Sequence, residues 1–448
     1  MSTSILWLRR DLRLHDHPAL AAAHADGGEV MPVFVLDPDL LAKAGEVRTA
    51  ALVEVLRATD ESYDGHLVLQ EGDPAEVLRR LATKVGATRV HISRETEPWG
   101  AERDERVREA LAQDDVELVE TGTPYVLGPG TVLNGSGNPY KVFTPFAKAW
   151  RDHDHPKPCP VPDDLRLTRG GVDSVDPPQV EAPVELPPLG EEAAMQRWAD
   201  FLDEDVAGYD DGRDQPALDS TSRMSVHLKW GVVHPRTLLA DLAPRRGEGV
   251  HTYVTELAWR EFYGDVLHHN PHSATRDLTD SLAGLRYDDL DDETFSAWAE
   301  GRTGYPFVDA GMRQLLEQGW MHNRLRMVTA SFLTKDLHCW WPRGAAWFMD
   351  HLVDGDVASN QHGWQWVAGT GTDASPYFRV FNPVTQGERF DPKGDYVRRW
   401  VPELAHIPGK AVHQPWSHDE GYDHDYPKRL VDHAEERKEA LDRLEETR

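Results

Sequence analysis

The pattern of hydrophobic positions changes partway along the chain. Up to about residue 130, short apolar runs alternate with segments of helical periodicity, which is typical of a parallel sheet covered by helices on both faces. Five runs are short and apolar enough to be buried strands, at residues 5–8, 30–36, 67–69, 89–93 and 116–119. The first half is therefore predicted to be an α/β domain built on a doubly wound, parallel, five-stranded sheet.

Helix signals fit between these strands. Residues 46–57 place their apolar side chains on one stripe, and Asp73 followed by Pro74 is typical of a helix N-cap with proline at the first helical position. No GxGxxG turn is present. Ligands of such sheets bind at the carboxyl ends of the strands, so this half has a place for a small planar molecule without requiring one.

A proline-rich stretch separates the two halves. Nine prolines lie between residues 154 and 190, helical periodicity resumes after them, and ten of the fifteen tryptophans lie beyond residue 250. We predict an α/β domain over 1–130, a linker over 131–190 and an all-α domain over 191–448. The last residues, 432–448, read as a charged, solvated helix or tail.

The charge balance restricts the environment and the partners of the protein. Asp and Glu outnumber Lys and Arg by 77 to 48, a net charge of −29, and the acidic residues are spread along the whole chain. Such a surface suits very high salt, where screening removes self-repulsion, and it indicates a halophile. The same charge argues against a nucleic-acid partner unless a local basic patch offsets it, because phosphate binding needs a basic footprint.

Signals for membranes, secretion and metals are missing from the sequence. No run of about 18 apolar residues occurs and the N-terminus lacks a cleavable signal pattern, so we expect no membrane association and a cytoplasmic location. Cys159 and Cys339 are far apart and have no neighbouring His or Cys at ligand spacing. Neither a disulfide framework nor a metal site is therefore expected.

Two segments of the second half mix polar and aromatic residues at unusual density. Residues 319–337 read GWMHNRLRMVTASFLTKDL, and residues 354–392 begin DGDVASNQHGWQWVAGTGT. Polar groups at this density are costly if they are buried without partners, and they suggest a ligand pocket with convergent donors. The alternative is a helical core with tryptophan packing and surface ion pairs.

These two segments and three others resemble the DNA photolyase and cryptochrome family, in the family's own order. The other three are LWLRRDLRLHDHPAL near the N-terminus, TSRMSVHLKWG from Thr221 and ELAWREFY from Glu256. The resemblance covers nearly the entire chain and implies that the all-α domain binds FAD. It further implies a class I enzyme that uses blue light to split cyclobutane pyrimidine dimers in DNA, and we expect a monomer.

The resemblance assigns one set of residues to the cofactor. Hydroxyls and N–H groups near a helix start can hold a pyrophosphate, which agrees with a flavin-phosphate role for residues 221–225, although the same string is also an ordinary N-cap signal. Arg326 is implied to pair with Asp354 and stabilise the anionic reduced flavin, with Asn360 facing the ring's reactive central nitrogen. The full set implied to bind FAD is Tyr209, Thr221, Ser222, Arg223, Met224, Ser225, Tyr253, Arg260, Asn323, Arg326, Asp354, Gly355 and Asp356.

A second set is implied to hold the lesion. A dimer inside duplex DNA cannot reach a flavin, so it must be flipped into a pocket where Trp259 and Trp366 stack on it. Glu256 would hydrogen-bond the flipped base and stabilise the radical anion, while Asn360 and Met327 favour repair of the cyclobutane dimer. The set implied to contact DNA is Arg213, Glu256, Trp259, Asn323, Arg324, Met327, Trp366 and Gln386, with Arg343 equally well a solvated arginine.

Two positions depart from the family pattern. A tryptophan relay that re-reduces the flavin is matched by Trp364 and Trp341, which join Glu256 and Asn360 as the implied catalytic residues. The outermost relay position instead holds Asp288, beside Tyr287. The string EPWG at residues 97–100 replaces the family's folate-binding Asn-Glu pair, which implies a deazaflavin antenna in place of folate.

Two other functions stay open. A cryptochrome-type photoreceptor would bind the same flavin and signal through a partner protein, and Asn360 together with the lack of a long C-terminal extension favours repair over it. An electron-transfer flavoprotein without a DNA partner would not need the pocket implied by Trp259 and Trp366.

Overall fold

A computed structural model describes residues 3–372 and 379–447, so the part of the second polar and aromatic segment at 373–378 lies outside the described residues. The strands are β1 (Thr3–Leu8), β2 (Glu29–Leu36), β3 (Val68–Glu71), β4 (Arg89–Ile92) and β5 (Glu117–Glu120). The helices are α1 (Pro18–Ala25), α2 (Pro38–Leu41), α3 (Glu46–Ser62), α4 (Pro74–Val85), α5 (Pro98–Ala112), α6 (Phe143–Asp152), α7 (Glu191–Glu204), α8 (Tyr209–Gly212), α9 (Met224–Trp230), α10 (Pro235–Leu242), α11 (Glu248–His269), α12 (Asp292–Ala299), α13 (Pro306–Gln318), α14 (Asn323–Ser331), α15 (Trp341–His351), α16 (Val357–Ala368), α17 (Pro383–Phe390), α18 (Asp395–Trp400) and α19 (His433–Glu445). None of the helices in the described ranges combines the length and apolar character that crossing a bilayer requires.

The sheet is parallel throughout, with strand order β3-β2-β1-β4-β5. Its register sets Ile5 of the central strand beside Met31 of β2 and Val90 of β4, and all three side chains are fully buried. The strand order reverses between β1 and β4, where the chain leaves the two strands in opposite directions and opens a crevice at their carboxyl ends. The predicted five-stranded, doubly wound sheet is confirmed.

Two of the predicted strands begin one residue later than expected. The N–H of Leu67 donates to the carboxylate of Asp60 at 3.0 Å, and the N–H of Val116 donates to the carbonyl of Leu111 at 3.1 Å. Neither N–H joins the ladder, so pairing starts at the following residue in both strands. Local hydrogen bonds to the preceding helices therefore set these strand ends.

The helix signals are placed correctly, but one helix is longer than predicted. The helix expected to end at residue 57 continues to Ser62, whose hydroxyl donates to the carbonyl four residues earlier at 3.0 Å. Asp73 caps α4 as expected, because its carboxylate accepts the N–H groups of Ala75 and Glu76 at 2.9 and 3.2 Å.

The chain divides into two compact units. The first comprises Met1–Ala207 and Ser222–Pro271, and the second comprises Gly208–Thr221 and His272–Arg448. The first has a core around the sheet, and the second is helical with a core rich in aromatic side chains. The helical character of the second half is confirmed, whereas the boundaries at residues 130 and 190 stay a prediction.

The proline-rich stretch is attached to the sheet of the first unit. Residues 153–190, all of them described, contain no helix and no strand longer than an isolated bridge. The N–H of Val30 donates to the carbonyl of Arg166 at 2.8 Å, and the N–H of Thr168 donates back to the carbonyl of Val30 at 3.0 Å. This stretch therefore extends along β2.

Candidate functional site

The second unit holds a fixed charge pair between Arg326 and Asp354. Nη2 of Arg326, on α14, lies 3.1 and 2.8 Å from the two carboxylate oxygens of Asp354, while its Nε donates to the carbonyl of Met321 at 2.8 Å. The Asp354 side chain is 1% exposed and the Arg326 side chain is 25% exposed. The acid is therefore buried, and the guanidinium stays accessible on one side.

Asn360 presents an acceptor oxygen from the first turn of α16. Its Nδ2 donates to the carbonyl of Ala345 at 3.1 Å and to Oε1 of Gln361 at 2.9 Å. Because both amide hydrogens are used, Oδ1 is the atom that can serve a ligand. A Cβ added at Gly363, about one turn further along, would meet no atom within 4 Å, so open space borders this helix near Asn360.

The start of α16 is fixed by Asp356. Gly355 links it to Asp354, and the carboxylate of Asp356 caps the helix by accepting the N–H of Ser359 at 2.9 Å. This cap holds both acidic side chains and Asn360 on one short, rigid stretch of backbone.

Asn323, Met327 and Trp366 lie on α14 and α16, two helices that pack against each other. Asn323 is exposed, and Met327 and Trp366 are half-buried against the helical core. Asn323 and Met327 are one helical turn apart and so share a face of α14. Asn323 therefore offers polar surface to a ligand, and Met327 and Trp366 offer partly exposed apolar surface.

Arg324 and Gln386 are less available. Nη2 of Arg324 lies 2.8 Å from Oδ1 of Asp214, and its guanidinium carbon lies 4.1 Å from the ring centre of Phe390. Oε1 of Gln386, on α17, is buried without a hydrogen-bond partner among the described residues. A phosphate bound by Arg324 would have to compete with Asp214.

Arg343 is also held by its neighbours. Its guanidinium donates to the carbonyl of Leu290, pairs with Asp292 at 2.8 Å and lies 4.1 Å from the ring centre of Phe295. These contacts match the prediction of an ordinary surface arginine better than that of a phosphate ligand.

Trp364 and Trp341 are both buried in the helical core. The ring of Trp364 lies edge-on to Phe348, with 5.0 Å between the ring centres. A Cβ added at Gly344 would lie 2.3 Å from Cη2 of Trp364, so the tip of this ring rests on α15, one turn from Trp341. The indole N–H of Trp341 donates to Oδ1 of Asp277 at 2.6 Å.

In the first unit, the start of α9 has a strained backbone. Arg223 has φ 55° and ψ 20°, a left-handed conformation that is uncommon outside glycine, immediately before Met224 begins the helix. The hydroxyl of Ser222 accepts the N–H of Met224 at 3.2 Å and is hydrogen-bonded to the Tyr253 hydroxyl at 2.9 Å. Ser222 thus provides an acceptor for the N–H of the first helical residue, while Ser225 is exposed.

Tyr209, Arg213 and Thr221 belong to the second unit. Tyr209 is buried at the start of α8, and the guanidinium carbon of Arg213 lies 5.8 Å from its ring centre. Thr221 is half-buried. Tyr209 and Thr221 therefore belong to the same unit as Asp354, whereas residues 222–225 belong to the first unit.

The middle of α11 aligns Glu256, Trp259 and Arg260 on one face of the first unit. Trp259 is half-buried and stacks on Phe143, with 3.5 Å between ring centres and 8° between planes. Nη1 of Arg260 donates to the carbonyl of Pro124 at 2.9 Å. One face of the Trp259 ring is thus covered by a rigid aromatic support.

Charged and aromatic side chains cluster near the carboxyl ends of β1 and β4. The guanidinium carbon of Arg103 lies 4.8 Å from the ring centre of Trp7 and 5.3 Å from that of Trp99, which is 37% exposed. Burial opposes ionisation of Glu95, but the charge of Arg10 and backbone hydrogen bonds outweigh it and lower the pKa of Glu95. This place therefore combines an ionised acid, paired with Arg10, and the exposed ring of Trp99.

Sequence reasoning missed three supporting residues. Phe143 lies inside the predicted linker, yet it carries the Trp259 stack. Asp277 and Asp214 are loop acids that hold Trp341 and Arg324 from 64 and 110 residues away. A single loop Asp in an acidic chain carries no sequence signal for such a role.

The chain is similar to known proteins over its whole length. Residues 4–163 match the family model described as DNA photolyase, and residues 253–446 match the FAD binding domain of DNA photolyase. A deoxyribodipyrimidine photo-lyase of Streptomyces griseus is 43% identical over 98% of each chain. A class III photolyase structure from Agrobacterium tumefaciens is 36% identical with a TM-score of 0.94, covering 100% of this chain and 98% of the other. A Synechocystis cryptochrome structure is 26% identical with a TM-score of 0.89, covering 99% of both chains. With a matched sheet unit, a matched FAD-binding region and a near full-length relative, the chain belongs to the DNA photolyase family.

Proposed function

We propose that the chain is a deoxyribodipyrimidine photo-lyase that uses light and FAD to split cyclobutane pyrimidine dimers in DNA. The observation that carries the proposal is the arrangement on α14 and α16, where the Arg326–Asp354 pair and the acceptor oxygen of Asn360 lie in one helical unit. Full-length similarity to named photo-lyases supports the same function. The class I subdivision, the monomeric state and the cytoplasmic location stay predictions.

The donor set suits a flavin. A guanidinium with one accessible side stabilises an anionic ring, an amide oxygen accepts a ring N–H, and the open space at Gly363 leaves room for a planar group. When bound and reduced, FAD supplies the light-driven electron that opens the cyclobutane ring and recovers it afterwards. We propose that it is held by Tyr209, Thr221, Ser222, Arg223, Met224, Ser225, Tyr253, Arg260, Asn323, Arg326, Asp354, Gly355 and Asp356.

We propose that the flipped dimer stacks on Trp259 and Trp366 and hydrogen-bonds to Glu256. The Phe143 stack supports this role because it fixes the plane of Trp259 before any ligand binds, which lowers the entropic cost of binding. The other proposed DNA contacts are Arg213, Asn323, Arg324, Met327 and Gln386. Since Arg324 is paired with Asp214, its contribution to phosphate binding should be small.

For the antenna, we propose a deazaflavin in the crevice between β1 and β4. Trp99 offers an exposed ring for stacking, and Arg103 lies within cation–π distance of it. The acids Glu95 and Glu97 both interact with Arg10, which reduces their repulsion of an acidic chromophore. Reconstitution with a deazaflavin and with a folate, followed by energy-transfer spectra, tests this choice, and transfer from folate alone would contradict it.

Repair in vitro tests the proposed function. The protein is loaded with FAD, reduced and illuminated with an oligonucleotide that contains one thymine dimer, and we expect the thymine absorbance to return. Dark incubation and an oligonucleotide without the dimer are the controls, and Glu256→Gln should lower the yield per photon. Bound, photoactive FAD without dimer splitting would favour a cryptochrome-type photoreceptor, which the fold match to the Synechocystis cryptochrome keeps as the second candidate.

A further inference from the structure

Trp340 stands at the protein surface beside the buried Trp341. It is the N-cap residue of α15 and has extended backbone, whereas Trp341 is the first helical residue. The two side chains therefore diverge, so that Trp340 is 41% exposed and Trp341 is fully buried. Exposure of this much indole needs an explanation, because it gives up the stabilisation that burying an aromatic ring provides.

The two indoles are in contact and share one hydrogen-bond acceptor. Their ring centres are 6.5 Å apart with an interplanar angle of 67°. Both Nε1 atoms point at Oδ1 of Asp277, at 2.6 Å from Trp341 and 3.4 Å from Trp340. A carboxylate at this position stabilises positive charge on either ring, so a hole on Trp341 can move to Trp340 without leaving its counter-charge.

We propose that Trp340 is the surface end of the tryptophan relay, so that the relay runs from Trp364 through Trp341 to Trp340. This inference rests on the proposed function, since the relay has a purpose only if a flavin must be kept reduced. Trp364 touches α15 at Gly344, one turn from Trp341, and Trp341 in turn contacts Trp340 at the surface.

The two other residues near the expected outer position are unsuited to the role. Asp288 cannot give an electron under these conditions, and both of its oxygens are bound by Arg443 at 2.9 and 3.0 Å. Tyr287 has a buried hydroxyl with no hydrogen-bond partner in the described part of the chain. Burial, with the nearby charge of Asp277, raises the pKa of this hydroxyl. Oxidation of a tyrosine requires its phenolic proton to leave, and none of the described residues lies within hydrogen-bond distance to accept it.

The electrons and protons balance as follows. With FAD bound and excited by light, Trp364 would give it one electron, Trp341 would then give one to Trp364 and Trp340 one to Trp341, which would leave a single oxidised indole at the surface. That indole releases its Nε1 proton to water. An external one-electron reductant of the thiol class, together with a proton from water, restores Trp340.

Transient absorption of the FAD-loaded protein tests the proposal. After a light pulse without added reductant, the wild-type protein should show a long-lived deprotonated tryptophan radical that added thiol removes. Trp340→Phe should lose this long-lived signal, because the hole stays on buried Trp341 and recombines. Tyr287→Phe and Trp347→Phe are matched controls, the second on the same helix, and both should keep it.

The results for Trp340→Phe and Tyr287→Phe distinguish the proposed relay from the alternatives. Loss of the signal in Trp340→Phe alone supports the proposal, since a merely structural effect would not change proton release from the radical. A normal signal in Trp340→Phe, or its loss in Tyr287→Phe, overturns it. The radical forms without DNA, so failure of dimer splitting with an intact radical signal would contradict the proposed function and leave the relay standing.

Discussion

Gly344 and Trp364 touch so closely that only hydrogen fits between them: a Cβ at position 344 would lie 2.3 Å from Cη2 of Trp364 and 2.4 Å from Cδ2 of Leu333. Gly344→Ala should therefore lower the free energy of unfolding by about 1–3 kcal/mol through overpacking, partly offset by the better helix propensity of alanine. It should also slow flavin photoreduction, because Trp364 must move.

Ala346→Gly is the matched control for this change. Ala346 is exposed on the same helix, and the substitution should cost about 1 kcal/mol through helix propensity alone. Urea unfolding and photoreduction kinetics measured on both variants separate the two effects. If both variants slow photoreduction equally, general loosening of α15 is responsible and the specific contact is not.

Removing either partner of the Arg326–Asp354 pair should lower the free energy of unfolding, but by different amounts. Arg326→Leu leaves the carboxylate of Asp354, 1% exposed, without its cation and should lower the free energy of unfolding by roughly 3–5 kcal/mol. Asp354→Asn removes the buried charge itself and should cost less. Denaturant unfolding of the two variants measures the difference. An equal loss in both would show that the Asp354 carboxylate is stabilised by a group other than Arg326.

The sheet could be predicted because the five apolar runs are short and alternate with segments of helical periodicity. Local periodicity identified all five strands and the cap at Asp73. The strand ends could not be predicted, since the N–H of Leu67 is taken by Asp60, a choice made by tertiary geometry. The same periodicity predicted that the second half is helical, but it could not predict that Trp340 is exposed.

The candidate site was predictable where residue types are chemically unusual and close in sequence. Asp354, Gly355, Asp356 and Asn360 lie on one stretch, and the structure holds that stretch by one helix cap. Supporting residues that reach in from distant loops, such as Asp277, depend on the fold and left no pattern. The detailed roles of the site residues stay predictions that the experiments above address.

The Phe143–Trp259 stack yields a third prediction. If Trp259 is a stacking platform for the lesion, Trp259→Ala should weaken binding of dimer-containing DNA by about 1–3 kcal/mol. Phe143→Leu keeps the platform but removes its support, so we expect a smaller loss. Fluorescence titration with damaged and undamaged oligonucleotides measures both, and unchanged affinity in Trp259→Ala would exclude the ring from the lesion pocket.

The buried ring of His17 makes stability depend on pH. Its Nδ1 accepts the N–H of Leu20 at 3.2 Å, which requires an unprotonated nitrogen. Burial, opposed by the charge of Asp11, lowers the pKa of His17 to about 4 from an ordinary value of 6.5. Between these values the unfolded chain binds the extra proton, so the stabilisation present above pH 6.5 is lost as the pH falls towards 4.

This loss amounts to about 3 kcal/mol for one such histidine. His17→Asn keeps an acceptor for the helix cap but does not titrate, so the slope of unfolding free energy against pH in this window should be shallower than in the wild type. It should not vanish, because burial also lowers the pKa of His227 and His362 to about 4. An unchanged slope would show that folding does not lower the pKa of His17.

The acidic surface predicts that salt stabilises the protein. With a net charge of −29, like charges repel across the whole surface, and raising the ionic strength from about 0.1 to 1 M shortens the screening length from about 10 to 3 Å. The unfolding temperature should therefore rise with KCl in scanning calorimetry. Potassium chloride is the appropriate salt because sulfate would strengthen apolar burial in any protein. Affinity for undamaged DNA should fall over the same range, because the free energy gained by releasing counterions from the phosphates shrinks as the salt concentration rises. A flat or falling unfolding temperature would contradict adaptation to high salt, and the excess of acidic residues would then need another cause.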